Sequence, residues 1–139
     1  VIVVNGALVG GYVEVGDRAF ISGNCVIHQF CRVGTLVMMR GGSRASRDIP
    51  PYSILDGDHI VRGVNVVGLR RAGFSREAIA ALRQAFRLLF YRRVNLSEAV
   101  KQVEAEVPLT PEVRHLLEFI RASTRGVAMG PRQAAGDEL

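Results

Sequence analysis

Residues 3 to 39, VVNGALVGGYVEVGDRAFISGNCVIHQFCRVGTLVMM, decide the fold when they are read in steps of six. Val3, Val9, Val15, Ile21, Ile27, Val33 and Met39 are all apolar, and six of these seven are β-branched. A second column two residues earlier reads Ala7, Val13, Ala19, Cys25, Cys31, Val37 and Ser43, small or medium throughout. Glycine often follows the rung, at Gly10, Gly16 and Gly34. Helical faces recur near 3.6 residues and strand faces at 2, so neither yields a period of six. Self-similarity at this period marks a hexapeptide β-helix, in which three short strands and three turns close one triangular coil. The aliphatic rung points inward and stacks on the rung of the next coil, because one coil cannot bury its own face. The ladder covers about two to three coils. So short a stub is marginal by itself, which supports truncation, oligomerisation or both. The chain starts at Val1 rather than methionine, which suggests a part of something longer.

The ladder places the polar residues within it. Cys25 and Cys31 fall on adjacent faces in the small column and read as buried thiols rather than a disulfide. With His28 they supply too few ligands for a metal site, and no metal is expected. Ile27 is an inward rung, so His28 and Gln29 occupy the turn that follows and point outward. They are either a plain polar turn or donors presented to a ligand from a rigid scaffold.

The 139 residues suffice for one domain with a small appendage, and a 48% apolar content is enough for a core. No run is long and apolar enough to span a membrane, and the apolar start lacks the marks of a signal peptide. The net charge of +5 favours anionic partners. Arginine supplies nearly all of the cations, since Lys101 is the only lysine, and its donor fork suits phosphate. Arg83, Arg87, Arg92 and Arg93 share a basic helix, yet no helix-turn-helix signature, zinc spacing or interleaved aromatics accompany them, so nucleic acid is not expected.

Beyond the ladder the pattern changes. Pro50 and Pro51 force an extended path, and Asp56-Gly57-Asp58 reads as a turn. Ser75 is a natural N-cap for a helix running to about Arg93, with Ile79, Leu82, Phe86, Leu89 and Phe90 on one face. Asn95 with Glu98 suggests a capping box for a short helix up to Val107. Thr110-Pro111 opens a third helix that Gly126 stops. The expected division is a β-helix over 1–57, a substrate or phosphate loop and connector over 58–73, three helices over 74–126 and a frayed tail over 127–139.

"IHQFCRVG" in the ladder, then "DIPPYSILDGDH", "GVNVVGLRRAGFSREAI" and "RASTRG" resemble one family, the acyl-carrier-protein-dependent UDP-N-acetylglucosamine O-acyltransferases that begin lipid A synthesis. The resemblance runs from about Val3 to Gly126. It implies a left-handed β-helix, a cytoplasmic homotrimer with sites in clefts between subunits, and no metal or other cofactor. It implies transfer of a 3-hydroxyacyl group from acyl carrier protein to the sugar 3-hydroxyl, with a histidine general base and a backbone N–H for the oxyanion. Gly11 matches the glycine of that N–H. His28, Gln29, His59, Asn65, Arg70 and Arg71 match positions that contact the nucleotide sugar or the carrier's phosphopantetheine. Met39 and Gly41 fall in the acyl-chain groove, where Met38 is a further neighbour.

The chain also departs from that pattern. No histidine precedes His28, so the family's general base lies upstream of Val1 and activity of this chain alone is not expected. Tyr12 stands where the family usually has histidine. Arg40 and Gly42 alter the groove, and Val67 and Ala72 replace residues that are often charged. The competing reading is a non-catalytic remnant that trimerises or binds the nucleotide sugar.

Overall fold

The computed structural model describes residues 1–92 and 94–131. Arg93 of the basic helix and residues 132–139 of the expected tail lie outside them. Eight two-residue strands recur every six residues: β1 (Ile2–Val3), β2 (Leu8–Val9), β3 (Glu14–Val15), β4 (Phe20–Ile21), β5 (Val26–Ile27), β6 (Arg32–Val33), β7 (Met38–Met39) and β8 (Arg44–Ala45). Every pairing among them is parallel and joins residues 18 apart, as in Ile2 with Phe20, Val9 with Ile27 and Val15 with Val33. Eighteen residues are three hexapeptides, so each coil has three sides. The rungs Ile21, Ile27, Val33 and Met39 are buried, and Ala45 extends the ladder by one small step. The first coil is apolar but open, with Val3 and Val9 still 51% and 44% exposed.

The corners follow one rule. Gly6, Tyr12, Arg18, Asn24, Phe30, Leu36 and Gly42 all have positive φ, again every sixth residue. Each sits third in a turn that most clearly closes between Val4 and Ala7, His28 and Cys31, or Arg40 and Ser43. A non-glycine side chain in this left-handed region costs roughly 1–2 kcal/mol. The coil closes only if that cost is met by stacking. The glycines after the rungs have a different reason. A Cβ on Gly10 would lie 2.5 Å from the Gln29 nitrogen, and one on Gly16 2.6 Å from that of Thr35. On Gly34 it would run into the Pro51 backbone.

Residues 58–73, expected as a loop and connector, hold a strand and a short helix. β9 (Ser53–Asp56) pairs parallel with β7 and antiparallel with β10 (Ile60–Val64), so a hairpin closes the last coil. Helix α1 (Val66–Arg71) follows, capped by Asn65, with Arg70 and Arg71 at its C-terminal end, where cations complement the helix dipole. Helix α2 (Arg76–Phe90) is capped by Ser75 and packs on β10, α3 (Leu96–Glu106) and α4 (Pro111–Ala122).

Two expectations shift at the C-terminal end. Helix α4 stops at Ala122, ahead of Gly126, where Ser123 turns extended and its hydroxyl donates to Asp48 at 2.7 Å. The tail does not fray from residue 127: Val127 and Ala128 are buried, and Val127 and Met129 bridge to Asp48 and Ile60. Asp48 ties the two halves together. Its carboxylate accepts from the Arg32 N–H at 2.8 Å and lies 3.4 Å from the Arg32 guanidinium. That guanidinium in turn covers the Phe119 ring at 4.0 Å and donates to the Phe119 carbonyl.

Candidate active-site corner

The prism has three corner lines. Turns 4–7, 22–25 and 40–43 make the first, turns 10–13 and 28–31 the second, and turns 16–19 and 34–37 the third. The expected site residues fall on all three. Gly11, His28 and Gln29 occupy the second. Gly41 lies exposed on the first, where an added Cβ would meet only the Gly23 carbonyl at an ordinary 3.7 Å. Arg71 adjoins the third, in a shallow cleft with Arg18 and Leu36, and Asn65 reaches the same corner through the Leu36 carbonyl.

The second corner is the most developed chemically. Gly11 is open, with nothing within 4 Å of the position its Cβ would take, and its carbonyl accepts from the Phe30 N–H at 2.9 Å. His28 and Gln29 project outward and are exposed. Their backbones are fixed: His28 N–H donates to the Ala45 carbonyl at 2.9 Å, and the Gln29 carbonyl accepts from the Arg125 guanidinium. Tyr12 lies flat on Phe30, with ring centroids 5.3 Å apart and planes within 6°. Both rings face solvent, at 83% and 56% exposed.

His59 reaches this edge from the hairpin. It has positive φ, and its Nδ1 accepts from the Ser46 N–H at 3.0 Å, which leaves the ring proton on Nε2, 3.3 Å from the Ser46 hydroxyl. Ser46 follows Ala45, the residue in register with Ile27, and Asp58 bridges to Arg44, so Ser46 lies one coil below His28 and His59 one layer further along. Arg44 fixes the same hairpin through its ion pair with Asp58 at 2.9 Å. Hydrogen bonding and charge from Arg44 hold the Asp58 carboxyl below its ordinary value.

Two expected site residues have internal work. The Asn65 side chain accepts from Gly68 N–H at 3.1 Å and donates to the Leu36 carbonyl at 2.9 Å, so both ends of its amide are engaged. Met39 faces inward. Its side chain is fully buried as a ladder rung between Ile21 and Leu55, so it does not line an open groove, whereas Met38 reaches the surface. Cys25 and Cys31 are free and buried, and burial raises the Cys31 thiol above its ordinary value. Among the described residues no three His, Cys, Asp or Glu side chains converge on a metal position.

Sequence reasoning missed the Tyr12–Phe30 stack and the Ser46–His59 pair. The stack was open to discovery, since residues 18 apart must lie one above the other on a corner. The Ser46–His59 pair depends on the hairpin's path, and no periodicity carries that.

The profile described as UDP-N-acetylglucosamine O-acyltransferase, domain 2, matches residues 48–128, more than half of the chain. The chain belongs to this acyltransferase family. The acyl-[acyl-carrier-protein]–UDP-N-acetylglucosamine O-acyltransferase of Myxococcus xanthus is 41% identical over 116 residues, 83% of this chain and 45% of that protein. Its counterpart in Burkholderia orbicola is 42% identical over 136 residues, 91% of this chain and 50% of that one. The crystal structure of the UDP-N-acetylglucosamine acyltransferase from Bacteroides fragilis superposes with a TM-score of 0.78 at 45% identity, covering 88% of this chain and 51% of that chain. The Acinetobacter baumannii enzyme superposes at 0.84 and 34% identity, covering 89% and 49%. The coil is therefore a left-handed parallel β-helix, the exception to right-handed crossovers. The chain spans about half the length of the relatives it matches.

Proposed function

We propose that this chain is the C-terminal part of an acyltransferase that moves a 3-hydroxyacyl group from acyl carrier protein to the 3-hydroxyl of UDP-N-acetylglucosamine, in the cytoplasm. In that reaction a base removes the hydroxyl proton, the alkoxide attacks the thioester carbonyl, and the phosphopantetheine thiol leaves. The Gly11 N–H meets the charge that develops on the carbonyl oxygen, while His28 and Gln29 orient the acceptor. His59, Arg70 and Arg71 hold the nucleotide or the phosphopantetheine phosphate, for which a guanidinium fork is suited. Asn65 acts by fixing α1, and through it Arg71. Gly41 leaves space along the acyl chain.

The observation that carries this reading is the spread of the matched residues over three separate corners of one prism. Residues on different corners of one copy cannot share a ligand, whereas copies around a threefold axis bring the corners of neighbours face to face. We propose a homotrimer with sites between subunits, built on the division into a β-helix over 1–57, a connecting substrate segment over 58–73 and helices over 74–126.

The chain has three histidines, His28, His59 and His115. The His59 ring is engaged by Ser46, and that of His115 lies 6.0 Å from Tyr52. With His28 assigned to orienting the acceptor, we expect substrate binding without turnover, since base catalysis is worth roughly 10²–10⁴-fold. The test is acyl transfer from acyl carrier protein to UDP-N-acetylglucosamine, run beside equilibrium binding of the nucleotide sugar. Binding without turnover is expected. Turnover contradicts the inactivity, and loss of both contradicts the site.

A further inference from the structure

The motif RASTRG, residues 121–126, closes α4 and lies outside every contact proposed for the substrates. Two anchors fix its path. The Ser123 hydroxyl donates to the Asp48 carboxylate at 2.7 Å, and the Gly126 carbonyl accepts from the Asp48 N–H at 2.9 Å. Gly126 has a φ of 89°, a left-handed turn that carries the chain on to the bridge between Val127 and Asp48. Arg125 is therefore held on both sides. Its side chain reaches back to the second corner, 96 residues earlier in the sequence.

What it meets there is a single peptide group. The Arg125 guanidinium donates to the Gln29 carbonyl, and the N–H of the same peptide, that of Phe30, donates to the Gly11 carbonyl at 2.9 Å. A line of hydrogen bonds thus runs from the guanidinium through the Gln29–Phe30 peptide to Gly11. Each bond in such a line polarises the next, and a charged donor at its head makes the first one strong. The Arg125 Nε is buried without a partner among the described residues, and no described carboxylate comes within 4 Å of the guanidinium. Its charge is directed at the corner. The same charge opposes the effect of burial, which raises the neighbouring Cys31 thiol.

The corner has no slack to absorb a shift of that peptide. A Cβ on Gly10 would lie 2.5 Å from the Gln29 nitrogen, so adjacent coils touch backbone to backbone here. The turn from His28 to Cys31 is closed by a 3.3 Å hydrogen bond around the same peptide. A rotation of the Gln29–Phe30 peptide therefore swings the Gln29 side chain and moves Gly10 and Gly11 with it.

We propose that Arg125 is a positioning residue of the second corner, locking the Gln29–Phe30 peptide and so holding Gln29 and Gly11 in the relation that the acceptor requires. This role rests on the reading of the corner as the acceptor site.

Arg125→Met keeps an apolar stem but removes the charge and the donor, whereas Arg125→Lys restores a donor, and one suffices for a single carbonyl. Binding of UDP-N-acetylglucosamine is expected to weaken about tenfold in Arg125→Met, the weight of one charge-assisted hydrogen bond, and to return to within about threefold of the parent in Arg125→Lys. In a Gln29→Ala background, Arg125→Met should weaken binding by less than about twofold further, because the side chain that it aims is gone. A purely structural tie lowers binding by the same factor in both backgrounds. Amide hydrogen exchange read by NMR gives a measurement without ligand. The Phe30 N–H should exchange about tenfold faster in Arg125→Met, while the Phe20 N–H, bonded to the Val37 carbonyl on another side of the prism, keeps its rate. Unchanged sugar binding by Arg125→Met, an equal loss in the Gln29→Ala background, or an unchanged Phe30 rate overturns the proposal and leaves the acceptor reading standing. A parent chain that does not bind the sugar overturns the acceptor reading, and the positioning role with it, whatever the Phe30 rate.

Discussion

At the scale of single residues, the protein is governed by where a Cβ and a ring fit. Gly34 and Gly11 make a direct contrast. A methyl at Gly34 collides with the Pro51 backbone, whereas one at Gly11 meets nothing. Gly34→Ala should destabilise the chain by about 2 kcal/mol or more through forced backbone movement, and Gly11→Ala by less than about 1 kcal/mol. Urea unfolding of both variants checks this. Tyr52 is buried, and burial first, with the negative charge of Glu112 second, pushes its hydroxyl up to about 12 from 10.0. The fold therefore favours the protonated phenol. Its contribution is complete below pH 10 and is lost as pH rises toward 12. Burial raises Tyr91 in the same direction. Stability measured against pH should fall through this window, and Tyr52→Phe should make the fall shallower. An unchanged slope in Tyr52→Phe would show that Tyr52 does not contribute.

At the scale of elements, the β-helix was legible and its junction with the helices was not. Valine and isoleucine at every sixth place leave one solution, because only a three-sided coil puts residues 18 apart in register. The helix starts were equally legible at Ser75 and Thr110, whose side chains accept from Ala78 and Val113 N–H. The junction depends on Asp48, Arg32, Ser123 and Phe119, which belong to three distant segments and share no periodicity. Gly126 looked like the stop of α4, but the pull of Asp48 on Ser123 ends the helix first. Likewise the α1 segment is too short, and too glycine-containing, to announce itself as a helix. Asp48 is only 2% exposed and has two donors besides the guanidinium. Asp48→Ala should cost about 3 kcal/mol, because it strands the Arg32 charge and the Ser123 hydroxyl together. Thermal unfolding would check this, and a change below about 1 kcal/mol would mean that the junction is held by apolar packing alone.

At the scale of the whole molecule, the matched residues do not gather in one place on one chain. His28 and Gln29 stand on the second corner beside Gly11 and the Tyr12–Phe30 stack, while Arg71 stands by the third with Arg18. The candidate residues were named from the family motifs. Their distribution over separate corners became visible only once the coil was closed. Met39 shows the limit of matching positions without geometry, since a residue can fall in a groove motif and still serve as a core rung.

The most direct measurement is binding of UDP-N-acetylglucosamine to a mixture of His28→Ala and Arg71→Ala chains, co-refolded and compared with each variant by itself. If neighbouring copies contribute different corners, each variant alone binds poorly and the mixture regains intact sites, about one quarter of the total by random assortment in a cyclic assembly. A mixture that binds no better than its two components would contradict a site shared between copies.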